Sequence, residues 1–336
     1  MPSVFVIAEA GVNHNGSLDL AMRLVEAAKA SGADAVKFQT FRADLLATRS
    51  AHKAAYQERT TASTESQFEM LQRLELDAAA HRALMDHCRK TGIQFLSSPF
   101  DIASADLLAE MDIPLFKVPS GEITNLPFLQ HIASKKRPII LSTGMSTLAE
   151  VEEAVQVMTA AGVPKLTLLH CVTEYPAPYA EVNLRAMQTL KSAFGLPVGY
   201  SDHTPGIDIA IAATALGAEV IEKHFTLDRS LPGPDHKASL EPGELQQLVE
   251  AIRHVEVALG TGTKIPAPCE LPNISVARKS VVAARALPVG HRLTEGDLEI
   301  KRPGNGLAPK LLPVLIGRTL RIEVAKDELI RWEQLA

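Results

Sequence analysis

Two histidines close consecutive apolar runs, His203 in GYSDHT and His224 in VIEKHF. If those runs are neighbouring strands, the imidazoles stand roughly 4.8 Å apart across a sheet and can share a metal ion. Either histidine alone could as well hydrogen-bond within the core; the pair favours the metal. Two neutral nitrogens leave an incomplete shell for substrate oxygens and water to fill. That suits a hard octahedral ion such as Mn²⁺ or Mg²⁺, whereas Zn²⁺ ordinarily takes a third protein ligand. Glu222 and Lys223 precede His224, so an apolar run ends on three ionisable groups, which are costly to bury unless paired or metal-bound.

Other chemistry-bearing residues occupy similar places. Lys37 and Lys117 end short apolar runs beside hydroxyls at Ser98, Ser120, Ser142 and Ser201. Cations with hydroxyls and backbone N–H groups make a cradle for phosphate or carboxylate. A snorkelling or paired lysine and a Schiff-base lysine are the alternatives. Glu9, after VFVIA, stands where a general acid/base or an ion-pair partner of a lysine would stand. Glu122 in PSGEIT and Asp235 in PGPDH lie in loops, where a carboxylate binds sugar hydroxyls or is simply solvated. Asn13, His14 and Asn15 form a polar loop, and Cys171 reads as a small apolar residue rather than a nucleophile.

These residues need elements to hold them. Strands are expected at 4–9, 35–39, 93–98, 115–120, 138–143, 166–171, 197–202 and 219–225, alternating with amphipathic helices such as SLDLAMRLVEAAKASG and TLAEVEEAVQVMTAAG. A third, IDIAIAATALG, sets Ile207, Ile211 and Ala215 on one face. Glycines 32, 92, 162 and 217 stop helices before the next strand. Eight strand–helix units in residues 1–260 match a closed (β/α)₈ TIM barrel, an α/β fold, whose chemistry gathers where the strands finish. An open doubly wound sheet would carry a glycine-rich dinucleotide fingerprint, and EAGVNHNG lacks its spacing. Nearly every strand end is polar (Glu9, Lys37 with Gln39, Ser98, Lys117 with Ser120, Ser142 with Thr143, His170, Ser201 with His203, Glu222 with His224), which predicts one rim converging on a common mouth. Residues 261–279 read as a Gly/Pro-rich linker. Residues 280–336 read as a small β-rich domain in which LPVGHRLTEGDL resembles IEVAKDELIRWEQL.

The totals narrow the class. A net charge of -5 argues against nucleic acid or an anionic membrane as partner. Three scattered cysteines predict no disulfide framework and a cytoplasmic setting. Neither a signal peptide nor a membrane span is expected.

The motifs IAEAGVNHNG, AVKFQT, FLSSPFD, KVPSGEITN, ILSTGM, LLHCVTEYPAP, GYSDHT and EKHFT with PGPDH together resemble the sialic acid synthase family. The tail, with LPVGHRLTEGDL and KRPGNG, resembles the antifreeze-like (SAF, β-clip) domain that closes those synthases. The resemblance implies condensation of phosphoenolpyruvate with an open-chain N-acylated mannosamine-type sugar, with phosphate leaving by C–O cleavage. The acceptor would be N-acetylmannosamine or a 2,4-diacetamido-2,4,6-trideoxymannose. It implies a divalent metal on His203 and His224, Mn²⁺ ahead of Mg²⁺ or Co²⁺. Lys37, Ser98, Lys117, Ser120, Ser142 and Ser201 match the phosphoenolpyruvate contacts, and Glu9 matches a carboxylate at the reacting carbons. Gln39, Glu122, Tyr175 and Asp235 match the sugar side, and Arg302 matches an arginine lent across a domain-swapped homodimer. Thr173 departs from the pattern, standing where some members carry an Asn on the phosphate side. The segment 53–76 looks like the legionaminate branch. Two other readings stay open: a synthase acting on a sugar phosphate, and a non-enzymatic carbohydrate-binding protein.

Overall fold

The computed structural model describes residues 3–61 and 65–336. The opening Met1–Pro2, read above as free of a leader, and residues 62–64 of the 53–76 segment lie outside the described residues. The chain divides into two compact units after Gly260.

The first unit holds eight strands: β1 (Phe5–Gly11), β2 (Ala35–Thr40), β3 (Gln94–Pro99), β4 (Phe116–Val118), β5 (Ile139–Ser142), β6 (Leu166–Cys171), β7 (Val198–Asp202) and β8 (Val220–His224). They run parallel in the order β3-β2-β1-β8-β7-β6-β5-β4. β3 also lies against β4, so the ring closes. This is a (β/α)₈ barrel. Its helices begin where side chains cap them: Ser17, Asp77, Asp101 and Thr147 accept from the N–H groups of Leu20, Ala80, Ser104 and Glu150. They end, as the pattern predicts, near glycines 32, 92, 162 and 217, whose φ values lie between 74° and 92°.

Each strand buries two faces. The outward face packs on the helices in the main core. The inward face carries an apolar plug of Ile7, Ala35, Leu96, Ile140, Leu169 and Val220. Gly199 belongs to this plug, because a Cβ there would come within 2.3 Å of the Val220 carbonyl oxygen. Two residues further along the strands, the inward side chains become polar. The plug is therefore the floor on which the polar rim stands.

Two expectations for this unit change. On the helix Asp208–Ala215 the buried residues are Ala210, Ala213 and Thr214, while Ala215 is exposed. Small side chains let this helix sit close, so the bulkier isoleucines fall on its flank. His170 is one residue out of phase with the inward-facing Leu169 and Cys171, and its Nε2 bonds the Val182 carbonyl instead of joining the rim. Lys223, left out of the rim, points away from the mouth between two inward neighbours.

The second unit begins with the segment read as linker, and that segment carries a helix, Leu271–Ala277, against which Gly304 packs closely. Strands β9 (Ser280–Ala283) and β10 (Leu298–Lys301) then pair antiparallel. The internal similarity is structural. Leu287, Gly290, Leu293 and Leu298 have the same spacing as Val324, Asp327, Ile330 and Leu335. Gly290 and Asp327 both take positive φ, Leu287 bridges Val324, and the six apolar members share one core. Among the described residues no helix is long and apolar enough to cross a membrane.

Candidate active site

A cavity of about 290 Å³ opens above the plug, where the strands finish. It is lined by Glu9, Lys37, Gln39, Ser98, Lys117, Ser120, Ser142, Thr173, Tyr175, Ser201, His203, His224 and Asp235, all singled out from sequence. Glu122 is not in the lining: its carboxylate accepts from Asn125 Nδ2 at 2.8 Å. It ends a three-residue turn, Ser120–Glu122, that aims Ser120 inward and turns Glu122 aside. Arg302 belongs to the second unit, where it is exposed and its Nε donates to the Ala277 carbonyl at 3.1 Å.

The register explains the charge pattern. Glu9 is paired with Lys37 across β1 and β2 and with His224 across β1 and β8, and Ser201 with Glu222 across β7 and β8. Lys37 Nζ lies 2.6 Å from Glu9 Oε2, 3.6 Å from Glu222 Oε2 and 3.1 Å from Ser98 Oγ. Lys117 Nζ lies 3.2 Å from Glu222 Oε1, which also accepts from Ser201 Oγ at 2.8 Å. Two lysines and two glutamates thus share one buried cluster with no net charge, but the carboxyls differ. Burial, only partly offset by Lys37, pushes Glu9 up to about 7. Burial raises Glu222 as well, but Lys117 and Lys37 outweigh it and hold that group down at about 2. Carboxyls driven apart in this way divide the labour of a site: one stays charged, the other can exchange a proton near neutrality. Burial lowers Lys117, while the two carboxylates keep Lys37 raised despite burial.

The histidines form the opposite side. Their ring centroids are 5.4 Å apart, and the Tyr175 ring lies 4.2 Å from His203 and 5.3 Å from His224. His203 Nδ1 donates to the Val172 carbonyl at 2.6 Å, which leaves Nε2 with its lone pair. Burial holds His203 neutral, at about 4, and His224 well below its ordinary value. His224 Nδ1 is buried without a hydrogen bond, 3.9 Å from Asp235 Oδ2. Among the described residues no group of three or more His, Cys, Asp or Glu side chains is set to hold a metal. Two neutral rings with a buried nitrogen lacking a partner nevertheless fit a two-nitrogen donor set completed by other oxygens.

A third feature is a cradle around Gly144. A Cβ there would meet Thr173 Oγ1 at 2.4 Å and Cys171 Sγ and Ser120 Oγ at 2.9 Å each. Only glycine lets these hydroxyls close in. Gly144 N–H donates to Ser120 Oγ at 2.9 Å, while Ser142 Oγ and Thr173 Oγ1 are buried without partners. Cys171 lies 3.1 Å from Ser120 Oγ with its thiol pushed up by burial, so it is no nucleophile at neutral pH.

Comparison with known proteins agrees with this geometry. The sequence model of the NeuB family matches residues 24–264, and that of the SAF domain matches residues 278–336. The chain belongs to the NeuB family. It is 54% identical to the N,N'-diacetyllegionaminic acid synthase of Campylobacter jejuni, over 98% of this chain and all of that protein. It is 48% identical to the protein of the same name from Legionella pneumophila, over 98% of this chain and 94% of the other. Among solved structures it resembles an N-acetylneuraminic acid synthetase from Leptospira borgpetersenii in complex with citrate. That match has a TM-score of 0.72 at 37% identity, over 81% of this chain and 90% of that one.

Sequence reasoning underrated part of this NeuB-family site. Glu222 is the carboxylate both lysines share, and its place two residues before His224 on one strand face was the available signal. Tyr56, whose ring lies 4.9 Å from Tyr175, and Leu46, Met70, Leu71 and Leu74 also line the cavity. They come from the long segment after β2, and nothing in its local pattern says that it folds over the mouth.

Proposed function

We propose that the chain condenses phosphoenolpyruvate with the aldehyde of an open-chain N-acylated mannosamine-type sugar, giving a nine-carbon keto acid and phosphate. The observation that carries this reading is a single cavity with two contrasting sides. Buried lysines and unpartnered hydroxyls lie on one, neutral histidines on the other, and a carboxyl near 7 stands between them.

Lys37, Lys117, Ser98, Ser120, Ser142, Thr173 and Ser201 hold the phosphate and carboxylate of phosphoenolpyruvate. Ser142 and Thr173 each bring a hydroxyl that an acceptor-rich ligand would satisfy. Tyr175, Gln39 and Asp235 hold the sugar with its aldehyde toward the histidines. His203 and His224 would hold the divalent ion, Mn²⁺ first and Mg²⁺ or Co²⁺ in its stead, and such an ion supplies Lewis-acid polarisation of an aldehyde. The enol carbon forms a bond to the aldehyde carbon, whose oxygen takes a proton from a solvent water. Water adds to the neighbouring cationic carbon, and the Glu9 carboxylate accepts the proton it sheds. The bond from that carbon to the phosphate oxygen then breaks, phosphate leaves with the electron pair and takes up the remaining proton of the added hydroxyl, and that oxygen becomes the ketone.

A sugar phosphate as acceptor is disfavoured. Among the described residues of the cavity lining the lysines are Lys37 and Lys117, both already assigned to phosphoenolpyruvate, and no arginine is present for a second phosphate. The reading also assigns the exposed Arg302 of a second copy to the acyl group, so the working form is a homodimer in the cytoplasm. Phosphate release by chelator-stripped protein, with Mn²⁺ restored, tests the proposal. Release should need phosphoenolpyruvate, metal and one of N-acetylmannosamine or 2,4-diacetamido-2,4,6-trideoxymannose. Folded, dimeric protein that releases phosphate with neither sugar would refute it.

A further inference from the structure

The loop after β1 buries polar residues that the condensation does not use. Asn13 and His14 are 2% and 0% exposed, and neither lines the cavity. Asn13 directs both amide hydrogens to the far side of the site. Its Nδ2 donates to the Phe225 carbonyl at 2.8 Å and to Ser239 Oγ at 2.9 Å. Ser239 Oγ in turn donates to the Asp235 carbonyl at 2.7 Å. Chemistry fixes these directions, because a carbonyl oxygen can only accept and the Ser239 hydroxyl has one proton to give.

One side chain thus grips two segments. The first is Phe225, the residue after His224, whose own N–H donates to the Glu9 carbonyl at 2.8 Å. The second carries Asp235, whose Oδ2 faces His224 Nδ1 across 3.9 Å. That gap is about 1 Å longer than a hydrogen bond. A buried imidazole and a buried carboxyl would gain by closing it, since His224 Nδ1 has no other bond. Their backbones must therefore hold them apart. The His236 ring joins the same two segments through Thr226 Oγ1 at 2.7 Å. Asn13 ties both to the strand that carries Glu9, because its N–H donates to the Ala10 carbonyl at 2.9 Å.

We propose that Asn13 is a positioning residue whose amide sets the separation of His224 and Asp235. Through the Phe225 carbonyl it fixes the imidazole that would hold the divalent ion. Through Ser239 it fixes the carboxyl that faces the sugar. The spacing keeps His224 free for the ion and Asp235 free for the acceptor, instead of bonded to each other. These two roles rest on the condensation proposed above.

The test uses the chelator-stripped full chain and two readouts. Mn²⁺ affinity is measured without substrates, from the electron paramagnetic resonance of the free ion. The sugar KM is measured at saturating Mn²⁺ and phosphoenolpyruvate, with whichever of the two sugars turns over. Asn13→Ala cuts both branches. It should weaken Mn²⁺ binding roughly 10- to 100-fold, the range for a residue that orients a metal ligand. It should also raise the sugar KM roughly two- to tenfold, the worth of one hydrogen bond. Ser239→Ala cuts only the Asp235 branch, so it should raise the sugar KM by the same factor and leave Mn²⁺ affinity unchanged. The double variant should have the sugar KM of Asn13→Ala. A residue serving only the fold would move both readouts in both variants, and the losses would add. That pattern, or either readout unmoved in folded Asn13→Ala, overturns the inference, as does Mn²⁺ binding that His224→Ala leaves intact. If Asn13→Ala does not fold, the Ser239 variants decide. Ser239→Thr keeps the hydroxyl and should keep the wild-type sugar KM, whereas an unchanged sugar KM in Ser239→Ala refutes the strut. If neither sugar turns over, the condensation reading fails and Mn²⁺ affinity judges the strut: weakened binding in Asn13→Ala but not in Ser239→Ala upholds it, and equal binding refutes it.

Discussion

Strands β7 and β8 carry two buried charge networks, one on each face, and the two are finished differently. On the outer face Lys223 Nζ donates to Asp202 Oδ2 at 2.7 Å and to the Thr204 carbonyl at 2.5 Å. Asp202 Oδ1 accepts from Thr204 N–H at 2.9 Å and from its hydroxyl at 2.8 Å. This network closes on itself. On the inner face Glu222 Oε2, His224 Nδ1 and, nearby, Ser142 Oγ and Thr173 Oγ1 are buried without hydrogen bonds. Leaving such groups unmade costs stability, so the outer network holds a shape and the inner one keeps capacity for a ligand. They meet at one point: the outer network grips Thr204, the residue after His203.

The largest effect should come from breaking the closed network. Lys223→Met leaves the buried Asp202 without its cation, which costs about 3–5 kcal/mol. Urea unfolding should show that loss, and the double variant with Asp202→Asn should recover most of it. If Lys223→Met unfolds at the wild-type denaturant concentration, the two faces do not differ as described.

On the inner face the same kind of change should behave oppositely. Glu9→Gln removes a carboxyl that burial already pushes up to about 7, so stability should hold or rise while kcat falls roughly 10²- to 10⁴-fold. The wild-type kcat/KM should climb with pH through about 7, because Glu9 acts ionised, and the variant's profile should lose that limb. A profile unchanged in Glu9→Gln would assign the proton transfer to another group.

His14 is an intermediate case, neutral but incompletely bonded. Its ring is fully buried, Nδ1 accepts from Gly16 N–H at 3.0 Å, and Nε2 has no partner. Burial, with His81 beside it, lowers it from 6.5 to about 4. Between those values the unfolded chain binds the proton and the folded chain does not. Stability from this group is therefore full above about 6.5 and is lost as pH falls toward 4. Glu9 and Asp235, raised to about 7 and about 6, pull the other way. The measurement is thus the difference between wild type and His14→Gln. Wild type should lose roughly 1–2 kcal/mol more than the variant between pH 7 and pH 5. Parallel pH dependence in the two proteins would mean that the ring is protonated without penalty.

The contrast between faces also explains what could be read in advance. A strand's period of two and the helix stops yield eight units, and polar residues at their ends yield Glu9, Lys37, Lys117, Ser201 and His224. What the sequence leaves open is which strand face turns inward. The period of two sets Glu222 with His224 and Lys223 apart from them, but only the pairing of β8 with its neighbours turns the first pair to the mouth and Lys223 outward. His170 fails as a rim residue for the same reason. Glu122 fails because a single turn separates it from Ser120. The apolar part of the cavity lining was illegible for another reason: Leu46 and Leu74 are brought together by a long connection whose path depends on the finished barrel.

The smallest expected effect is the sharpest probe of the unfinished side. Thr173 Oγ1 is buried without a partner, within 2.4 Å of where a Gly144 Cβ would stand. Thr173→Val keeps the shape and removes only the hydroxyl. Were this hydroxyl part of a closed network, its loss would orphan a partner and lower the unfolding midpoint. Because it has none, stability should not fall. If the hydroxyl faces phosphoenolpyruvate, its loss should raise that KM by roughly two- to tenfold, the worth of one hydrogen bond, and leave the sugar KM alone. A raised sugar KM would instead turn the cradle toward the acceptor, and the lysines and Gly144 would then serve different substrates.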